Sequence, residues 1–270
     1  MSSPVLLGAL LERGYRVRPS AYVEESWLLV RQRLVGFVLF GVLASGISLI
    51  AAVFLGLLPF IGGFVGQAVT TSLMAGYLYA ARVLDQKKPW AFSIFFKPTE
   101  KFVPILFYTM FLNLLIVLPV LLFFVLIFGL STDAFFDLLA LENAAAYLDR
   151  LGGLDILMAA LFLMGFMIYL FVSYVLVLPF IVFEEVSFWQ AMEASRQLVG
   201  RQFGAVLSLL LLLLLLNLAG ALFFFVGLFI TIPVSQVAYY CFYKDLLTQA
   251  APHERYSGKF GEDTPLDAGI

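Results

Sequence analysis

Residues 182–216 read VFEEVSFWQAMEASRQLVGRQFGAVLSLLLLLLLL. The stretch ends in eight consecutive leucines and begins with Glu184, Glu185, Glu193 and Arg196. Paired carboxylates beside so apolar a run fit acid–base chemistry, an ion path, or a chain that has just surfaced from a membrane. Composition identifies the solvent. Of the 270 residues, 63% are hydrophobic and only 13% are charged, where a soluble domain carries about 25% charged residues. Mean hydropathy is +1.01. That much apolar surface has no stable place in water, so most of the chain is expected to lie in lipid.

The same composition excludes several kinds of chemistry. One cysteine, Cys241, rules out an intramolecular disulfide or a multi-cysteine metal site. One histidine, His253, lies in the polar tail, which removes the commonest general base from the apolar region. The net charge of −2 gives no basic surplus for nucleic acid. No nucleotide-binding loop, dinucleotide fingerprint, nucleophile elbow or CxxC pattern is present, and no cofactor is expected. The first twenty residues lack the positive region of a cleaved signal peptide.

A bilayer core needs about 20 apolar residues per helix. Six runs meet that length, at about 34–58, 63–83, 103–129, 155–180, 203–225 and 228–247. The expected fold is all-α and polytopic: an interfacial segment 1–33, a six-span domain 34–247, and a disordered tail 248–270. Six spans put every lysine and arginine except Arg150 on one face. By the positive-inside rule that face is cytoplasmic, as are both termini.

Two polar segments read as interfacial. TDAFFDLLALENAAAYLDRL (132–151) has the spacing of an amphipathic helix on the outer surface. KKPWAFSIFFKPTEKF (87–102) combines Lys87, Lys88, Trp90 and Lys97 in the manner of a lipid anchor, aromatics at headgroup depth and lysines toward phosphates. A faint repeat links EESWLLVRQR (24–33) to EASRQLVGRQ (193–202), matching Glu24 to Glu193, Ser26 to Ser195, Leu29 to Leu198 and Val30 to Val199. Both copies lead into a span pair, which implies a parallel helix–span–span repeat.

The opening stretch then takes a structural reading. Ser187 with Gln190 forms a capping box, Glu184 and Glu185 favour the helix N-terminus, and Glu193 reaches Arg196 or Gln197 one turn on. An ion pair between Glu184, Glu185 or Glu193 and Arg31 or Arg33 is a further expectation. Inside the spans, Gln67, Thr70, Thr71, Asn113, Asn217, Ser235 and Gln236 either bond across helices or line a polar path. No carboxylate lies well inside a span to couple ions or protons, Asp155 sitting at a span end. Pro233 is expected to break span six into a half-helix.

Two stretches carry a family resemblance. AGYLYAARVLDQKKPWAFSIFFKP (75–98) places a Gly-Tyr span end before a short basic loop and a Ser-Phe-Phe helix. LPFIVFEEVSFWQAMEASRQLVGRQFG (178–204), followed by GLFITIPVSQVAYYCFYKDLL (227–247), gives a proline-ended span, an acidic residue, an A-x-x-x-S helix and a Gly…Pro span. Over about residues 20–248 the chain resembles the YciC-type bacterial inner-membrane proteins and the membrane domain attached to some glycerophosphodiester phosphodiesterases. The resemblance implies a multi-pass helical protein and supplies no catalytic residue. No counterpart of the phosphodiesterases' soluble barrel is expected in these residues, so that activity is not carried over. The expected function is that of a non-enzymatic accessory or envelope-maintenance protein contacting lipids or other membrane proteins. The alternative is a transporter or channel for an uncharged or amphipathic solute such as a lipid.

Overall fold

The computed structural model describes residues 14–58, 61–128, 153–184 and 186–250, with isolated positions 8, 10 and 12. Segment 132–151, Glu185 and the tail beyond Ala250 lie outside the described residues. Every regular element among those described is helical: α1 (Pro19–Val30), α2 (Leu34–Gly56), α3 (Ile61–Asp85), a tight 310 segment (Phe92–Lys101), α4 (Phe102–Phe128), α5 (Gly153–Ser173), α6 (Val177–Phe183), α7 (Phe188–Arg201), α8 (Phe203–Leu222) and α9 (Leu228–Ala250). The helix that ends the described chain thus continues three residues beyond the expected domain boundary at 247.

Four stretches are long and apolar enough to cross a membrane: Pro19–Gly56, Phe92–Leu121, Ala160–Phe183 and Phe203–Leu222. The chain is an all-helical membrane protein. The runs expected at 63–83 and 228–247 are also helices, α3 and α9, but fall outside that set of four. Their placement explains why. They are the most enclosed of the long helices, with buried Ala, Gly, Ser and Tyr along much of their length. A helix surrounded by protein does not need an apolar coat. By contrast, α2 and α8 turn Leu39, Val53, Phe54, Leu211 and Leu214 outward, each at least half exposed.

Close approach sets the shape of the first half. Phe95, fully buried, stacks on Phe40 with ring centroids 4.2 Å apart. Gly76 permits this, because a Cβ there would lie 2.3 Å from the Phe95 carbonyl oxygen. Within the expected anchor the aromatics divide, with Phe92 40% exposed and Trp90 half-buried. Phe95 belongs to the core, and Trp90 packs on Phe37 at 5.9 Å. α3 ends in a Schellman turn, with Lys88 N–H donating to Val83 O and Lys87 N–H to Leu84 O, both at 3.0 Å. Lys87 occupies the left-handed position at φ 53°.

The fourth expected span, 155–180, is interrupted. α5 stops at Ser173 and α6 starts at Val177, because Pro179 has no N–H to continue the ladder. Ser195 of α7 repairs the gap. Its hydroxyl donates to Ser173 O at 2.7 Å and accepts from Leu176 N–H at 3.2 Å, in a fully buried position. Pro233, in contrast, does not break α9, which is continuous from Leu228 to Ala250. It lies near the N-terminal end, where only one ladder bond, to Phe229, is lost. The capping box is present as expected, with Ser187 Oγ accepting from Gln190 N–H and Gln190 Oε1 accepting from Ser187 N–H. At the positions matched between α1 and α7, Ser26 and Ser195, Leu29 and Leu198, and Val30 and Val199 are all buried.

Candidate functional site

The densest polar constellation lies where the C-terminal half of α9 meets α1, α3 and the end of α6. Lys244 places Nζ 2.8 Å from Glu25 Oε1 and 2.6 Å from Asp85 Oδ1. Tyr240 donates to the other Asp85 oxygen at 2.9 Å. Asp85 ends α3, where a carboxylate opposes the negative end of the helix dipole, and Lys244 offsets it. The neighbouring Asp245 accepts from Arg18 at 2.5 Å, Tyr22 at 2.7 Å and Gln249 at 2.8 Å. Gln249 also pairs with both backbone groups of Arg16, accepting from its N–H at 2.8 Å and donating to its carbonyl at 3.0 Å. Tyr15 donates to Leu198 O at 2.5 Å, and Gln202 donates to Tyr15 O at 3.1 Å. The N-terminal segment is thereby fastened to both α9 and α7.

Glu184 is 8% exposed and accepts from Tyr243 at 2.5 Å. Burial raises its pKa above the ordinary carboxylate value, and the Tyr243 hydrogen bond opposes part of that rise. Arg82 lies over the Phe183 ring, 5.0 Å from its centroid. Burial also pushes the Tyr15 hydroxyl up, so it remains a neutral donor. These acids, bases and hydroxyls are engaged with one another. Among the described residues, no group of three or more His, Cys, Asp or Glu is placed to hold a metal ion. What the arrangement does is hold four helices in register at one end of the bundle.

The carboxylates of the opening stretch separate. Glu193 is bound by Arg196 at 2.6 and 2.9 Å and by Gln197 at 2.6 Å. The Arg196 hydrogen bonds, and then that of Gln197, hold its carboxyl below the usual range. The expected pairing of Glu184 or Glu193 with Arg31 or Arg33 is not formed. Arg31 and Arg33 are exposed, because α1 lies chiefly along α9, which brings Glu25 rather than the arginines to the ion network.

Of the seven polar residues expected within the spans, four form two separate pairs. Asn113 Nδ2 donates to Gln67 Oε1 at 2.7 Å between α4 and α3. Asn217 Nδ2 donates to Ser235 Oγ at 2.8 Å between α8 and α9, and Ser235 donates onward to Thr231 O. Thr70 bonds Gly66 O in its own helix. Thr71 and Gln236 are half-buried on α3 and α9. Of the anchor residues, Lys87 and Lys88 are exposed at the end of α3, and Lys97 pairs with Glu100 at 2.9 Å. The sequence reading missed Asp85, Tyr240, Tyr243, Asp245, Glu25, Arg18 and Tyr22. The signal lay in Tyr-Cys-Phe-Tyr-Lys-Asp (240–245), a polar run carried on the same helix as the apolar residues before it. No family model matches the chain, and neither the curated proteins nor the solved structures give a match.

Proposed function

We propose that this chain is a non-enzymatic accessory protein of the bacterial inner membrane. It crosses the bilayer six times with both termini cytoplasmic, and it contacts lipids and other membrane proteins through its outer helix faces. One observation carries the reading. Of the seven amide and hydroxyl side chains expected within the spans, the four that bond across helices do so in two local pairs, Gln67 with Asn113 and Asn217 with Ser235, instead of converging on a common path. The resemblance to the YciC-type proteins points the same way. Trp90, Lys87 and Lys88, together with Arg31 and Arg33, supply headgroup contacts on the cytoplasmic face.

Crosslinking in native membranes, followed by identification of the captured proteins, tests the accessory role. Recovery of a reproducible membrane-protein partner supports it; recovery of the chain alone under all conditions contradicts a role in contacting other proteins. Reporter fusions test the topology. A fusion near Ala144 is expected outside and one at Ala250 inside, and both on one side would refute six spans.

The second reading, a transporter for an uncharged or amphipathic solute, is favoured by five interior polar atoms. Ser48 Oγ, Ser72 Oγ, Ser173 Oγ, Thr231 Oγ1 and Asn217 Oδ1 are buried without a hydrogen-bond partner among the described residues. Uptake of an uncharged solute into vesicles that contain the purified protein, above protein-free vesicles, would select it.

A further inference from the structure

The turn between α8 and α9 has a composition that water does not explain. From Leu218 to Ile230 the chain has no polar side chain. Leu222, Phe223, Phe224, Phe225 and Val226 form its tip, and they are 78%, 74%, 92%, 70% and 68% exposed. Turns that meet water use Gly, Asn, Asp, Ser and Pro. Here Phe224 and Phe225 both take the left-handed conformation, at φ 52° and 61°, which disfavours a side-chain-bearing residue by roughly 1–2 kcal/mol each.

Six backbone N–H groups of the turn are bonded internally. Phe225 N–H donates to Ala221 O, Val226 to Phe223 O, Leu228 to Phe225 O, Phe229 to Val226 O, and Ile230 and Thr231 to Gly227 O, at 3.0–3.2 Å. Internal satisfaction is what hydrocarbon demands and water does not. Two glycines make the closure tight. A Cβ on Gly227 would lie 2.5 Å from Gly220 O, and one on Gly220 the same distance from Thr231 Oγ1.

Length places the tip. α8 has 20 residues, about 30 Å of helix, close to the roughly 30 Å hydrocarbon core. Its near end follows Arg201 and Gln202, and its exposed Leu211, Leu214, Leu215, Leu218 and Leu222 run without interruption into the tip. We propose that the α8–α9 turn stays at the far edge of the hydrocarbon core that α8 crosses, as a phenylalanine wedge among the acyl chains of the leaflet remote from the Lys244 network, and does not emerge into water. The occupant of this surface is lipid, because the lipid-facing side of α8 continues directly onto it. The inference rests on α8 lying in the membrane, and it is independent of whether the protein has partners.

Nitroxide labels at Val226→Cys and Phe224→Cys, in protein reconstituted into phospholipid vesicles, test the proposal through collision rates with oxygen and with a water-soluble nickel chelate. Val226 is the safer variant, because its backbone is not left-handed. Leu214→Cys marks lipid, Lys88→Cys marks water, and the wild type, whose Cys241 is buried, is the blank. The expected result is a high oxygen-to-chelate ratio at the tip, approaching that at Leu214 and well above that at Lys88. Chelate access at the tip matching Lys88 would overturn the proposal and leave α8 in the membrane. Low access to both probes would overturn it in favour of a protein contact, such as a second copy. Chelate access at Leu214 as well would overturn the membrane placement of α8 itself.

Discussion

Replacing Ser195 by alanine isolates one side chain that joins two helices of the bundle. The hydroxyl donates to Ser173 O and accepts from Leu176 N–H across the break before Pro179. Alanine removes both bonds and leaves a buried backbone acceptor and a buried donor without partners. Each such group costs about 1–3 kcal/mol, so the substitution should destabilise by about 2–6 kcal/mol. The matched residue in the first half, Ser26, is equally buried but only donates to Val23 O in its own helix. Its replacement should cost about 1 kcal/mol or less, because a single hydrogen bond contributes a net of about that size. The assay is thermal unfolding of the two purified variants in one detergent, followed by tryptophan fluorescence. Ser195→Ala should melt well below Ser26→Ala. Equal melting temperatures would refute the bridging role, and with it the explanation of how α5 and α6 tolerate their interruption.

Three further outcomes follow from the same structure. Glu184 has a raised folded-state pKa because it is buried. Its contribution is therefore fully present below the unfolded value of 4.5 and is lost as pH rises through the folded value. The wild type should melt higher in mildly acidic buffer than at neutral pH on this account, and Glu184→Gln, which still accepts from Tyr243, should flatten that dependence. Lys244→Met leaves Glu25 and Asp85 facing one another without their cation. Removing one partner of a fully buried pair costs about 3–5 kcal/mol, and with Lys244 about a quarter exposed the loss should be about 2 kcal/mol, read by the same melting assay. Phe224→Gly relieves a left-handed backbone and should leave stability unchanged or raise it by about 1 kcal/mol, measured against Phe223→Gly at the neighbouring position.

The helices were legible in the sequence because lipid imposes length and hydropathy directly. The α7 cap and the Glu193–Arg196 pair were legible too, since each is settled within one turn of chain. The ion network was not. Lys244 and Glu25 are 219 residues apart, and hydropathy fixes that a helix crosses the bilayer without fixing which face meets which neighbour. The same limit misdirected the arginines. Arg31 and Arg33 were matched to Glu184 and Glu193 by charge alone, while the direction of α1 along α9 presents Glu25 to the network. One clue was present: the smaller and more polar make-up of α3 and α9 marks them as the enclosed helices. The role of Ser195 depended on a helix break elsewhere in the chain, and Pro179 announced the break without naming what fills it.

The central claim is that the polar groups within the spans close on one another and leave no aqueous path. Thiol labelling of Thr71→Cys and Gln236→Cys in membranes, with an impermeant reagent applied to each face in turn, tests it most directly. The account predicts that both remain as unlabelled as the wild type while Lys88→Cys reacts. Labelling of Thr71→Cys and Gln236→Cys from one face would contradict it, and would establish a water-filled route between α3 and α9.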